Sequence, residues 1–196
     1  MPKRRFESVE EFEEHVKDAE ELIFDGTENL TVRPQGYDNQ KKKYSGKKHT
    51  HTDIALVLSD KKTRIYYVSD LDDGKHVDMT ILKKDFPPEK NWFEKFKVLF
   101  DLGFIGVAKL YTFKELIIGE KKPRKSKKNP KPELTQEQKE NNKKISKERI
   151  FVEHAIGRIK KYHILKNRCR IKSYNLKNRI LGICAALWNY QLNLSS

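Results

Sequence analysis

Asp25, Asp101 and Glu153 are the residues of this chain whose type and setting could do chemistry. Asp25 follows the apolar run LIF and Asp101 follows VLF. Each reads as the end of a strand, where the pleat stops and a carboxylate can project from the sheet edge. Glu153 lies in KERIFVEHAIGRIKKYHIL. At helical spacing Arg149, Glu153, Ile156 and Lys160 fall within about 60° on one face, beside an apolar stripe of Val152, Ala155, Ile159 and Tyr162. A helix packed by that stripe would carry Glu153 close to the strand-end aspartates. Three carboxylates brought together raise one another's pKa values. A hard divalent cation relieves the repulsion, and Mg²⁺ favours a few carboxylate oxygens with waters and substrate phosphate. Two such ions about 4 Å apart can drive an in-line phosphoryl displacement. Strand-end aspartates also form turns and helical glutamates often face solvent, so spacing alone leaves both readings open.

For the three acids to meet, two strands must lie side by side with a helix across them. ELIFDGTE reads as a short strand ending in a turn at Asp25 and Gly26, and Tyr44 to Leu58 as a second strand. Ser59 to Thr63 is turn chemistry, and RIYYVSD is the returning hairpin partner. Asp78 to Phe86 has the spacing of a short helix stopped by Pro87 and Pro88. FKVLFDLGFIG is a buried strand that leaves at Asp101 into Gly103 and Gly106, and KELIIGEKKP reads as one more. Thr135 with Gln138 forms a capping box opening a long helix toward Leu165. A last apolar helix spans about Leu176 to Leu192. The expected class is α/β (α+β), a layered mixed sheet flanked by helices. Residues 1–20 read as an acidic N-terminal segment and 21–192 as the catalytic domain, with a basic Pro/Lys-rich loop at about 120–134.

The 196 residues carry 42 Lys and Arg against 28 Asp and Glu, a net charge of +14. The basic residues are clustered. Six lie between Arg33 and Lys48, seven among the eleven residues from Lys121 to Lys131, and nine between Arg158 and Arg179. After Glu153 there is no acid to the end of the chain. Basic runs interleaved with apolar segments point to a polyanionic partner, nucleic acid above all. No apolar run approaches a membrane span and the acidic start is no secretory signal, which leaves a cytoplasmic protein without membrane partners. Cys169 and Cys184 suit a reducing compartment and packing rather than a disulfide framework. His49, His51 and Asp53 alternate on one strand face, where surface or DNA-facing roles fit better than a metal site. Trp92 and Trp188 read as core, and Gly157 as a close-packing glycine.

In order, IFDGTE, YSGKKHT, FDLGFIG and KERIFVEHAIGRIKKYHIL give the chain its family likeness. It resembles bacterial insertion-sequence transposases of the DDE type, in the branch shared with the eukaryotic Harbinger-derived nucleases. The likeness runs from about Leu22 to Tyr190. It implies a ribonuclease-H-like fold, a site for Mg²⁺ or Mn²⁺ holding two ions, and cleavage and strand transfer of transposon-end DNA. The family's acids fall on Asp25, Asp101 and Glu153 as catalytic and metal-ligating residues. Arg149 and Lys160 match the signature around the glutamate, whereas its tyrosine position is Ser146. The histidine usual before Asp78 is replaced by Val77, with His76 one place early. Arg149, Lys160, Arg158, Lys47, Lys48 and His49 are the expected contacts to double-stranded DNA, with assembly into a homo-oligomer on DNA and a nucleoid location as further expectations.

Transposases of this kind usually carry a helix-turn-helix region ahead of the first aspartate, and only 24 residues precede Asp25. The chain therefore resembles the catalytic half alone, a truncated element or the second frame of a two-frame gene. Two function classes stand side by side. One is an active metal-dependent DNA-cutting and joining enzyme. The other is a non-catalytic DNA-binding remnant that works only with a separate end-recognition domain. A ribonuclease-H-like RNA nuclease is disfavoured by the DGTE and VEHAIGR blocks.

Overall fold

Residues 22–24 are Leu, Ile and Phe, and all three are fully buried. They open β1 (Leu22–Leu30), the strand on which the fold is built. β3 (Thr50–Ser59) lies antiparallel to it from Ile23 opposite Ser59 to Leu30 opposite Thr52. β6 (Lys97–Phe100) lies parallel to it on the other side, paired at Leu22 with Val98 and Ile23 with Leu99. β7 (Glu115–Ile118) continues the parallel half. Short β2 (Tyr44–Ser45), β4 (Ile65–Val68) and β5 (Asp72–Asp73) all pair with β3. The order β2-β3-β1-β6-β7, with an antiparallel hairpin on one side and parallel strands on the other, is the ribonuclease-H-like α+β arrangement expected from the sequence. This computed structural model describes residues 1–123, 125 and 132–194, so most of the basic stretch from Lys121 to Lys131 lies outside the described residues.

Because side chains alternate across a strand, each buried strand feeds two cores. Phe24, Leu58 and Phe100 face one side, with Phe12, Tyr67, Phe86, Trp92 and Phe93 in a largely aromatic cluster. Ile23, Val57 and Leu99 face the other, with Val152, Ala155, Ile159, Leu181 and Cys184 in an aliphatic one. The aromatic side is covered by α1 (Val9–Val16) and α3 (Asp78–Asp85). The acidic segment 1–20 thus contributes to the core: Phe12 and Val16 are fully buried, and the Ser8 hydroxyl caps α1 by accepting from Glu11 N at 3.2 Å. Its acids occupy the solvent side of a helix whose apolar residues are four apart.

The aliphatic side is covered by α4 (Gln136–Ile159) and α6 (Tyr174–Leu194). The Thr135–Gln138 capping box is formed in both directions, as its spacing predicts. α4 stops at Ile159, however, and the one-turn helix α5 (His163–Lys166) carries Leu165 separately. Leu165 packs there against the same cluster, which a straight continuation of α4 would not reach. The predicted strand Tyr44–Leu58 is likewise two pieces, because a tight turn through Gly46 to His49 folds β2 onto β3 and puts His49 at φ 51°. That turn follows α2 (Tyr37–Lys43), a short helix the sequence reading left as a basic segment. Trp92 is core as expected, and Trp188 packs at the edge of the aliphatic cluster. Gly157 faces open space rather than a neighbouring helix.

Candidate active site

β1 and β6 separate after Ile23 and Leu99, and the first two acids stand at that fork. Asp101 follows the last residue of β6, as predicted, and begins a short 3₁₀ turn by accepting from Leu102 N at 2.6 Å. Asp25 does not end its strand. β1 continues to Leu30 because its pairing with β3 is unbroken, and Asp25 marks instead the point where pairing with β6 has stopped. The side chain of Asp25 turns back to accept from Gly26 N at 2.9 Å. Glu153 comes from α4, whose stripe of Val152, Ala155 and Ile159 is buried on the sheet and so fixes the helix rotation.

A single guanidinium stands among the three acids. Arg149 reaches Asp101 with Nη1 at 2.8 Å, Glu153 with Nη2 at 3.5 Å and Asp25 with Nη2 at 3.8 Å. Asp25 and Arg149 are largely buried, whereas the Glu153 side chain is 54% exposed. The acids are therefore gathered around one common partner. Among the described residues no three acidic, His or Cys side chains converge closely enough to hold an ion unaided. The positive charge that the acids require is supplied in this structure by Arg149.

Burial pushes the Asp25 carboxyl up to about 6, with Asp101 and Asp78 adding to the rise, while Arg149 and the Gly26 N–H oppose it. The folded chain therefore keeps a proton on Asp25 that the unfolded chain has already released. The stability contribution is present below the ordinary carboxylate pKa near 3.8 and is lost as pH rises through about 6. Asp25→Asn is accordingly expected to be more stable than the wild type at pH 7.5, by about 1–3 kcal/mol for a carboxyl raised from 3.8 to about 6. Thermal unfolding should show that advantage disappearing between pH 6 and 4. An advantage of equal size at pH 4 would show that desolvation of the charged form is not its cause.

A cleft of about 400 Å³ opens beside Asp101, lined among others by Gly26, Glu28, Lys47, Asp78 and Gly103. Lys160, at the end of α4, donates to the Glu28 carbonyl at 2.9 Å. Burial, with Lys48 and Lys47 nearby, lowers its pKa. Lys47 and Lys48 are exposed on the turn after β2, and His49 is exposed on the same turn. Of the residues expected at DNA, Arg149 and Lys47 thus border the acids or the cleft, and Lys160 and Lys48 lie near one another beside them. Arg158 does not: its guanidinium lies over the Trp188 ring, 5.5 Å from the centroid, toward α6.

Asp78 and Glu28 line the cleft beside the predicted acids. Asp78 is the acid that the family pattern already marks at the start of α3, and two glycines, Gly26 next to Asp25 and Gly103 two residues after Asp101, leave room for its carboxylate. Asp53, weighed above as a strand-face partner of the histidines, is instead buried and paired with Lys43 and Lys177, the latter at 2.6 Å. No motif announces that ion pair, because its members lie 10 and 124 residues apart.

Residues 24–189 match the family described as DDE superfamily endonuclease, and the chain belongs to that family. It is 32% identical over 178 residues to a protein described as "Probable transposase for insertion sequence element IS702" from Microchaete diplosiphon. The alignment takes in 89% of this chain and 58% of that protein, so the chain spans less than two thirds of its relative's length. No solved structure matches the chain. No helix among the described residues is long and apolar enough to cross a membrane.

Proposed function

We propose that this chain is the catalytic part of a divalent-metal-dependent DNA transposase, cutting phosphodiester bonds at transposon ends and joining them to target DNA. The observation that carries this reading is the gathering of Asp25, Asp101 and Glu153, from two strands and a helix, around Arg149. The donor set is chemically suited to Mg²⁺ or Mn²⁺: hard carboxylate oxygens, one of them in Asp78 buried without a partner. Asp25 and Asp101 would hold the ions between the diverging strands, and Glu153 would complete the set from the solvent side. Bound there, divalent ions supply Lewis acidity for the attacking and leaving oxygens of an in-line displacement.

The protein's own groups would align the substrate. Arg149, which now faces all three carboxylates, would meet a non-bridging phosphate oxygen next to the scissile bond. Lys160 fixes the end of α4 to β1, and Lys47 and Lys48 offer their charges to the backbone on either side of the cleft. The aromatic core beneath Phe100 keeps the Asp101 strand end in place. A homo-oligomer on DNA in the bacterial cytoplasm is the working assembly.

Relaxation of supercoiled plasmid tests the reading. With Mg²⁺ or Mn²⁺ the purified chain is expected to yield nicked circles, and with EDTA none. Binding to the plasmid without nicking in either metal would favour the alternative, a non-catalytic DNA-binding remnant.

A further inference from the structure

The first residue of α3 carries a carboxylate with no evident structural task. Val77 caps the helix without a side-chain hydrogen bond. An acid at the start of a helix ordinarily turns toward the free N–H groups of the first turn. Asp78 turns instead onto the backbone of β1. A Cβ on Gly26 would lie 2.0 Å from its Oδ1 and 3.0 Å from its Oδ2, and one on Gly103 would lie 3.4 Å from Oδ2. The two glycines that flank the first two acids are therefore the floor on which this carboxylate rests. Its Oδ1 is buried and accepts no hydrogen bond.

A desolvated carboxylate oxygen without a donor, beside other acids, is unfavourable unless a cation meets it. Arg149 answers Asp25, Asp101 and Glu153, but its short contacts do not extend to Asp78. Lys47 lines the same cleft on an exposed turn and ion-pairs with none of these acids. The place beside Asp78 thus has oxygen donors on two sides and an open cleft on a third, while the nearest fixed cation, Arg149, is engaged by Asp101 and reaches Asp78 with no short contact. Hard oxygens on separate elements with room for waters and a phosphate suit Mg²⁺ or Mn²⁺.

We propose that Asp78 is a fourth carboxylate of the centre, ligating with Asp101 the divalent cation on the α3 side of the cleft. This assignment rests on the reading of Asp25, Asp101 and Glu153 as a metal site. It gives the two cations different owners: Asp101 would serve both, Asp25 and Glu153 the one on the α4 side, and Asp78 the one opposite. It also gives Gly26 a purpose, since any side chain there would push the Asp78 carboxylate out of position.

Mn²⁺ bound to the whole chain can be counted by electron paramagnetic resonance titration, with circular dichroism to verify folding. The wild type is expected to take up a second Mn²⁺ after the first, and Asp78→Asn to weaken one of them roughly 10- to 100-fold while the other is retained. Gly26→Ala keeps every acid and should reproduce the loss by displacing Asp78, so a folding defect in one variant does not decide the matter. Asp101→Asn should weaken both ions. If Asp78→Asn and Gly26→Ala titrate like the wild type while Asp101→Asn loses its ions, the assignment of Asp78 is overturned and the metal centre stands. If Asp101→Asn also titrates like the wild type, or the wild type takes up no Mn²⁺, the centre itself is overturned and Asp78 with it.

Discussion

Asp101→Asn is expected to lower metal-dependent plasmid nicking by roughly a hundred- to a thousand-fold, the cost of removing one fixed electrostatic contact at a reacting centre. The substitution is nearly isosteric. An asparagine carbonyl can still accept from Leu102 N and from Arg149 Nη1, the two bonds that position the side chain, so the strand end and the turn after it should keep their geometry. What is lost is the negative charge and one anionic oxygen, and those are the properties a Mg²⁺ ion needs. Initial rates at saturating Mg²⁺ with a melting curve alongside make the comparison. A variant that melts normally and nicks at the wild-type rate would remove Asp101 from the chemistry.

The second large effect concerns Arg149, and it falls on stability. Arg149→Met keeps the aliphatic stem and removes the guanidinium, leaving Asp25, Asp101 and Glu153 to face one another. Breaking a buried ion pair costs about 3–5 kcal/mol. Glu153 is half in solvent and is screened accordingly. A loss of about 2–3 kcal/mol at pH 7.5 is therefore expected, or roughly 5–10 °C in melting temperature for a chain of this size. Millimolar Mg²⁺ should restore part of it, because a cation that binds only the folded state stabilises by mass action. The wild type, which already has its internal cation, should gain less from the same Mg²⁺. Equal shifts in the two proteins would mean that the ion does not enter where the guanidinium stood.

Much of this architecture was legible in the sequence, for identifiable reasons. The hairpin of β3 and β4 and the existence of β6 and β7 follow from apolar runs separated by turn residues, whereas the parallel pairing of the last two is tertiary. The capping box fixed the start of α4, and the α4 stripe fixed which way Glu153 points. The family blocks located Asp25, Asp101 and Glu153 together with Arg149 and Lys160. Other features are tertiary and left no local mark. Asp25 lies inside its strand because β1 loses one neighbour while keeping the other, which no property of LIFDGTE encodes. α1 belongs to the core because Phe12 meets Phe86 and Trp92, far along the chain. Arg158 shared the basic run with Lys160, yet helical rotation carried it to Trp188 instead of to the acids. The buried pairing of Asp53 with Lys177 joins residues with nothing between them in sequence to suggest it.

The fork between β1 and β6 has a mechanical corollary. β1 is laced to β3 along its whole length, from Ile23 to Leu30, but to β6 only at Leu22 and Ile23. Asp25 is thus borne by one braced rail and Asp101 by another, since β6 is laced to β7 through Phe100, with no ladder rungs between the two acids. Beyond Ile23 and Leu99 their separation is set by side-chain packing, Phe24 stacked on Phe100, rather than by backbone hydrogen bonds. The reach between the two carboxylates therefore hangs on one pair of stacked rings, and replacing either ring should change it while leaving every sheet hydrogen bond intact.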